Sequence, residues 1–145
     1  MADIKHSRQR DAILACLMSR KDHPTAEVIY ESVRKDFPNI SLGTVYRNLT
    51  LLVEMGHAAR VPCSGGTVHF DGDVSRHYHF ECTQCGAITD LENFGADKLQ
   101  ALDRMVMDGF DGEIHEHKLF FIGVCPICIK RQNKLKIYID NSDEK

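Results

Sequence analysis

The sequence lacks any apolar run near the roughly 18–20 residues that a membrane-spanning helix needs. Its opening, MADIKHSRQR, has no signal-peptide pattern, so the chain is expected in the cytoplasm, without a membrane partner. No internal repeat and no low-complexity segment is present, which sets aside repeat architectures. Strong charge of either sign is missing too, the net value being −3 over 145 residues. That small total hides an asymmetry. Residues 1–60 carry nine Lys/Arg against seven Asp/Glu, and residues 61–145 carry nine against fourteen. A nucleic-acid surface, if there is one, belongs to the first half. What remains is the composition of a soluble globular chain, 43% hydrophobic and 27% charged, long enough for one ordinary domain or two small ones.

Local signals divide the chain. Ser7 caps a predicted helix whose apolar face runs Ile13, Leu14, Leu17, Met18, and the segment KDHP breaks it. Thr25 caps a second helix with Val28, Ile29, Val33 and Phe37 as its stripe. Ser41 caps a third with Val45, Leu49, Leu52 and Val53, stopped at Met55-Gly56. HAARV and TVHFD flank Cys63-Ser-Gly-Gly as a hairpin. Three helices and a hairpin give the order of a winged helix-turn-helix over residues 1–70. Asp71–Ser75 reads as a hinge. Residues 76–145 form a second domain: strands around 77–81 and 87–91, a helix near 96–107 with Leu99, Leu102 and Val106 inward, strands around 113–124, then a short helix and a loose tail. The expected class is α+β, a winged helix followed by a small α/β dimerisation domain with a structural zinc.

Six cysteines in a reducing compartment do not predict a disulfide framework. Four form two C-x2-C pairs, Cys82/Cys85 and Cys125/Cys128, separated by 39 residues. Each pair is half of a tetrahedral zinc site, and together they leave no open coordination position, so the zinc is structural, one per chain. A dithiol redox motif would need a strand-to-helix setting in an α/β pattern, which neither pair is expected to have. Cys16 sits beside the core stripe, and Cys63 on the hairpin is the reachable thiol.

His77 and His79 then need their own explanation. On a strand they face one side while Tyr78 faces the other. Asp71 precedes that strand, and Asp90 lies where the next strand returns alongside. Imidazole with carboxylate suits Fe(II), Mn(II) or Zn(II). A zinc hydrolase built on these groups lacks an evident general base and leaves the helix-turn-helix unexplained. A plain zinc-stapled interaction module would leave the histidines idle.

These motifs carry a resemblance. Ser7-Arg-Gln-Arg10, Asp22-His-Pro-Thr-Ala26, Ile40-Ser-Leu-Gly-Thr-Val-Tyr-Arg-Asn-Leu49, His77-Tyr-His79, Cys82-Thr-Gln-Cys85-Gly and Gly123-Val-Cys-Pro-Ile-Cys128 resemble the ferric uptake regulator family of metal-dependent repressors, and within it the peroxide-sensing branch. The resemblance implies a regulatory Fe2+ or Mn2+, one per chain, on His23, Asp71, His77, His79 and Asp90. It implies a homodimer bound to an inverted-repeat operator in double-stranded DNA. Asp90 stands where the iron-uptake branch commonly has Glu, and Tyr78 stands where many iron-uptake regulators have an Asp of a further metal site, though His117 remains. The family usually has another helix before the segment matching Ser7, where this chain has six residues, so contacts from that helix are expected to be reduced. Thr44, Tyr46 and Arg47 are the expected contacts near the start of the recognition helix, with Arg10 and Lys5 on phosphates. In the peroxide branch, the resemblance implies that His23 or His77 takes up oxygen and that DNA is released. The alternative is an iron-uptake or other metal-responsive repressor without peroxide sensing.

Overall fold

The computed structural model describes residues 7–91, 96–115, 117 and 119–140. Lys5, the tail from 141 and the side chain of Leu99 lie outside the described residues. The chain divides into two compact units, 1–75 and 76–145.

The first unit opens with helices α1 (Arg8–Met18), α2 (Ala26–Val33) and α3 (Leu42–Glu54). Their starts follow from amides that a first helical turn leaves without intrahelical partners. Ser7 Oγ accepts from the Arg10 N–H at 3.4 Å, and Ser41 Oγ from the Thr44 N–H at 3.1 Å. Thr25 does stand at the start of α2, but its hydroxyl bonds the Glu27 carboxylate and caps no helix amide. Helix α3 ends because Gly56 takes a φ of 73°, which costs a glycine little. That turn lets the His57 N–H reach the Leu52 carbonyl at 2.9 Å and the Gly56 N–H reach Val53 at 3.0 Å, a Schellman closure.

Residues three and four apart on the three helices face one core: Ile13 and Leu17, then Ala26, Ile29 and Val33, then Val45, Leu49 and Leu52. Two residues expected in those stripes lie outside it. Met18 is 64% exposed and Val28 39% exposed, because α1 turns its last residue outward and α2 buries Ala26. Strands β1 (Ala59–Pro62) and β2 (Val68–Asp71) pair antiparallel, Ala59 opposite Asp71. Phe70 of β2 joins the helical core, and Arg60 Nη2 donates to Thr50 Oγ1 at 3.0 Å, tying β1 to α3. Asp71, expected in a hinge, closes β2 and is buried. Beyond it the Asp73 N–H donates to Asp71 Oδ1 at 2.8 Å and the Ser75 N–H to Asp73 Oδ1 at 2.9 Å. These are two successive Asx turns.

The second unit contains β3 (Tyr78–Cys82), β4 (Ile88–Leu91), α4 (Ala96–Met107), β5 (Phe120–Gly123) and α5 (Pro126–Asp140). Its sheet runs β4-β3-β5, antiparallel between β3 and β4 and parallel between β3 and β5. A parallel neighbour requires a crossover, which is the role of α4. The α+β class is as expected, with three local differences. Among the described residues of the 113–124 stretch, the strand is confined to Phe120–Gly123. The last helix begins earlier than expected, because Pro126 suits the first helical position. Val106, expected inward, is 56% exposed, and Met105 beside it 75%.

Leu49 is fully buried. Leu49→Ala should cost about 2–5 kcal/mol, read as a lower urea midpoint for the first unit, whereas Met18→Ala should stay within about 0.5 kcal/mol.

Candidate metal centres

Parallel pairing of β3 with β5 sets Cys82 opposite Gly123, so the chain leaving each strand carries its cysteine pair to the same end of the sheet. The Thr83 N–H donates to the Gly123 carbonyl at 2.8 Å and holds the two exits together. Gly86, at a φ of 69°, turns the first pair back into β4, with its N–H on the Cys82 carbonyl at 2.9 Å. The sulfurs of Cys82, Cys85, Cys125 and Cys128 all lie within 4.8 Å of one another, with Cys85 and Cys125 at 3.9 Å. Four sulfurs held tetrahedrally at about 2.3 Å from one ion stand about 3.8 Å apart. The four residues therefore fit a closed four-thiolate centre.

Backbone amides support the sulfurs: the Cys125 N–H points at Cys82 Sγ at 3.3 Å and the Cys128 N–H at Cys125 Sγ at 3.5 Å. The Cys125 amide, aided by amides of the first turn, pulls the Cys82 thiol down to about 6, while burial pushes Cys128 up to about 12. A bound cation resolves that opposition by favouring thiolate at every position.

Two sequence expectations need correction here. Cys82, expected past the strand end, is the last residue of β3. The second pair does sit between a strand and a helix, β5 and α5, the setting expected to be absent. Proximity sets the pair apart from an isolated dithiol instead, since Cys82 and Cys85 complete the cluster around it.

A second group lies at the other end of β3. Antiparallel pairing puts Asp90 directly opposite His79. His77 Nε2 and His79 Nε2 are 3.0 Å apart, and Asp90 Oδ1 lies 3.2 Å from the first and 3.5 Å from the second. Neighbouring donors about 2.1 Å from a shared ion are separated by about 3.0 Å in octahedral and about 3.4 Å in tetrahedral geometry. The three residues thus fit three corners of an N/O site. In the first unit, His23 and Asp71 form a comparable pair, both buried, with His23 Nε2 3.4 Å from Asp71 Oδ2.

Tyr78 faces away from these ligands into a different network. Its hydroxyl meets His117 Nε2, and His117 Nδ1 meets Asp103 Oδ1. Arg76 donates to both Asp103 oxygens, at 3.0 and 3.3 Å. The Arg76 guanidinium, then His117, hold Asp103 below the usual carboxylate range. An internal cation thus already occupies the acid of this cluster.

On α3, Thr44, Tyr46 and Arg47 are close in space. Arg47 Nη2 donates to Thr44 Oγ1 at 3.0 Å, which fixes the guanidinium along the helix. Tyr46 is 42% exposed and gives its hydroxyl proton to Glu27 Oε1 at 2.7 Å. That bond pushes the Tyr46 phenol up and pulls Glu27 down. Sequence reasoning missed Glu27, an unremarkable helical acid until α2 and α3 are packed together. Arg10 lies on α1, half-buried.

The ferric uptake regulator family profile matches residues 1–121. The chain belongs to the ferric uptake regulator family. The peroxide-responsive repressor PerR of Staphylococcus aureus strain Mu50 is 36% identical over 127 residues, 88% of this chain and 84% of that protein. The peroxide stress regulator of Campylobacter jejuni is similar in structure, with a TM-score of 0.71 and 30% identity over 83% of this chain and 88% of that one. The ferric uptake regulator of Helicobacter pylori shares the fold, with a TM-score of 0.75 and 23% identity over 86% and 82%. Ferric uptake regulators bind DNA and work as dimers. The chain is accordingly a metal-responsive repressor and not an enzyme.

Cys85→Ser opens the four-thiolate centre. If the centre holds one zinc per chain, the variant should lose it and the second unit should melt, since a structural zinc site contributes on the order of 10 kcal/mol of binding free energy. Metal analysis after mild chelation, with circular dichroism, checks this; a folded, zinc-free dimer of the variant contradicts it.

Proposed function

We propose that this member of the ferric uptake regulator family is a cytoplasmic, peroxide-responsive repressor. In this reading Cys82, Cys85, Cys125 and Cys128 hold a structural zinc. His23, Asp71, His77, His79 and Asp90 act as one ligand set for a regulatory Fe2+ or Mn2+. The observation that carries the reading is the Asp90 carboxylate between the two imidazoles, 3.2 and 3.5 Å from their Nε2 atoms. Its short side chain reaches both rings from directly opposite His79. The likeness to PerR of Staphylococcus aureus and to the Campylobacter jejuni peroxide regulator supports the same branch.

The ligands come from both compact units, so holding them together selects one relation between those units. In a dimer, that relation sets the spacing of two α3 helices. DNA reads that spacing as the distance between half-sites, so metal binding becomes DNA affinity through linkage. The dimer is the homodimer typical of the family, and a two-fold dimer calls for an inverted-repeat operator. Exposed apolar side chains of the second unit, Met105, Val106, Phe110 and Ile122, give such a dimer a surface to cover. Arg47 and Tyr46 would read base edges, with Thr44 orienting Arg47 and Arg10 on a phosphate.

Iron(II) held by these residues would activate hydrogen peroxide, which manganese(II) does not readily do. In the net change one peroxide oxygen is inserted at a ring carbon–hydrogen bond of His23 or His77, the ring giving up two electrons, and the other oxygen leaves as water. An oxidised imidazole is a poorer donor, the ligand set loosens and the operator is released. Cysteine oxidation is the weaker route, since metal-bound thiolates are shielded. Cys63 is half-buried, its thiol directed to the Val61 carbonyl at 3.7 Å.

The test is operator binding by iron- and manganese-loaded protein before and after dilute peroxide. The iron form alone should lose DNA, with one added oxygen on the peptide carrying His23 or His77. Equal sensitivity of the two forms, or oxidation confined to cysteines, leaves an iron-uptake or other metal-responsive repressor as the better description. His77→Ala should lose metal-dependent binding while keeping its zinc. Arg47→Ala should keep both metals and weaken operator binding by about 1–3 kcal/mol, measured by fluorescence anisotropy.

A further inference from the structure

Nothing in the sequence singles out His69, yet its imidazole grips the loop that presents His23. His23 has a φ of 48°, the one positive value among the described residues that is not glycine. A residue with a side chain stays in that left-handed region when its surroundings hold it there. Strand β2 provides the hold. Thr25 forms an antiparallel bridge with His69, and the Phe70 N–H donates to the Pro24 carbonyl at 3.0 Å. These two attach the chain just after His23. The His69 ring reaches His23 itself, Nδ1 lying 2.5 Å from its carbonyl oxygen. A carbonyl offers no proton, so Nδ1–H is the donor and the tautomer is set.

Alternation along β2 explains why one strand can do this. His69 and Asp71 project to the same side, while Phe70 between them points into the helical core. His23 is therefore held at two places by one strand face, through its backbone by His69 and near its ring by Asp71. From the other direction, Arg20 clamps Asp22 with bonds of 2.8 and 2.5 Å.

We propose that His69 is a positioning residue of the regulatory metal site. Its hydrogen bond to the His23 carbonyl keeps the loop in the conformation that aims the His23 ring at a metal. It also ties the β1–β2 hairpin to metal occupancy. The inference rests on the reading of His23 as a ligand. Without the bond the loop relaxes toward ordinary backbone angles, and binding must first reorder it. Partners that orient a metal ligand in this way change affinity by about 10–100-fold when removed.

Two polar replacements of similar character separate positioning from mere packing. The amide nitrogen of Asn falls close to where imidazole Nδ1 lies, and that of Gln lies nearer Nε2. Manganese(II) affinity of the full-length, zinc-loaded protein is measured by calorimetric titration, with zinc content and thermal unfolding alongside. His69→Gln should weaken manganese(II) by about tenfold, with the zinc retained, and His69→Asn should recover most of the loss. Wild-type affinity in His69→Gln, or an Asn variant no better than Gln, overturns the proposal. His23→Ala is the control. If it binds manganese(II) as tightly as wild type, the ligand reading itself fails and the role of His69 falls with it.

Discussion

The parallel pairing of β5 against β3 is the constraint on which the second unit depends. Antiparallel neighbours can be joined by a tight turn, but parallel ones need a long crossover. The 39 residues between the cysteine pairs, unusual for a compact four-cysteine knuckle, are the length of that crossover, with α4 inside it. Had β5 run the other way, Cys125 would leave the sheet at the end opposite Cys82. The same strand, β3, serves both centres. His77 just before it and His79 within it present imidazoles on one face, and its last residue, Cys82, brings a sulfur to the four-cysteine cluster. Few residues separate four sulfurs from a set of nitrogen and oxygen donors, two donor chemistries that suit different ranges of metal ions.

Legibility in the sequence followed the range of the interaction. Ser7 and Ser41 were readable as helix starts because a cap bonds within its own turn. Asp90 was readable because a strand returning after a C-x2-C turn has few registers open to it, and the one adopted faces His79. Gly56 announced the end of α3 for the same local reason. Glu27 and His69 were not legible, since each acts on a residue from another element, 19 and 46 positions away. Their side chains acquire meaning once helices and hairpin have packed.

Two misreadings share one physical cause. Val28 and Val106 have the right spacing for an apolar stripe but lie at its margin, and which margin faces inward depends on the neighbouring element. In α2, which packs on both α1 and α3, Ala26 and Ile29 are the residues buried. In α4, Leu102 is half-buried and Val106 is left outside. The start of α5 at Pro126 was obscured differently. A cysteine pair draws attention as a turn, while proline at the first position of a helix is equally at home there.

The two units also differ in what fills them. Among the described residues the first packs eleven buried ones into one cluster, from its three helices, strand β2 and the turns before α3 and β1. The second has a cluster of Cys82, Cys125 and Cys128, with Phe80 and Val124 packed against it. Among the described residues cysteines make up most of that cluster, so a cation bound by them would work as a cross-link in place of oil. Closing a loop of this length removes chain entropy worth about 4 kcal/mol from the unfolded ensemble, as a disulfide would. Unlike a disulfide, it does so under reducing conditions. A cation held by the four cysteines would thus make the half of the molecule that carries His77, His79 and Asp90 depend for part of its mechanical integrity on the supply of an ion.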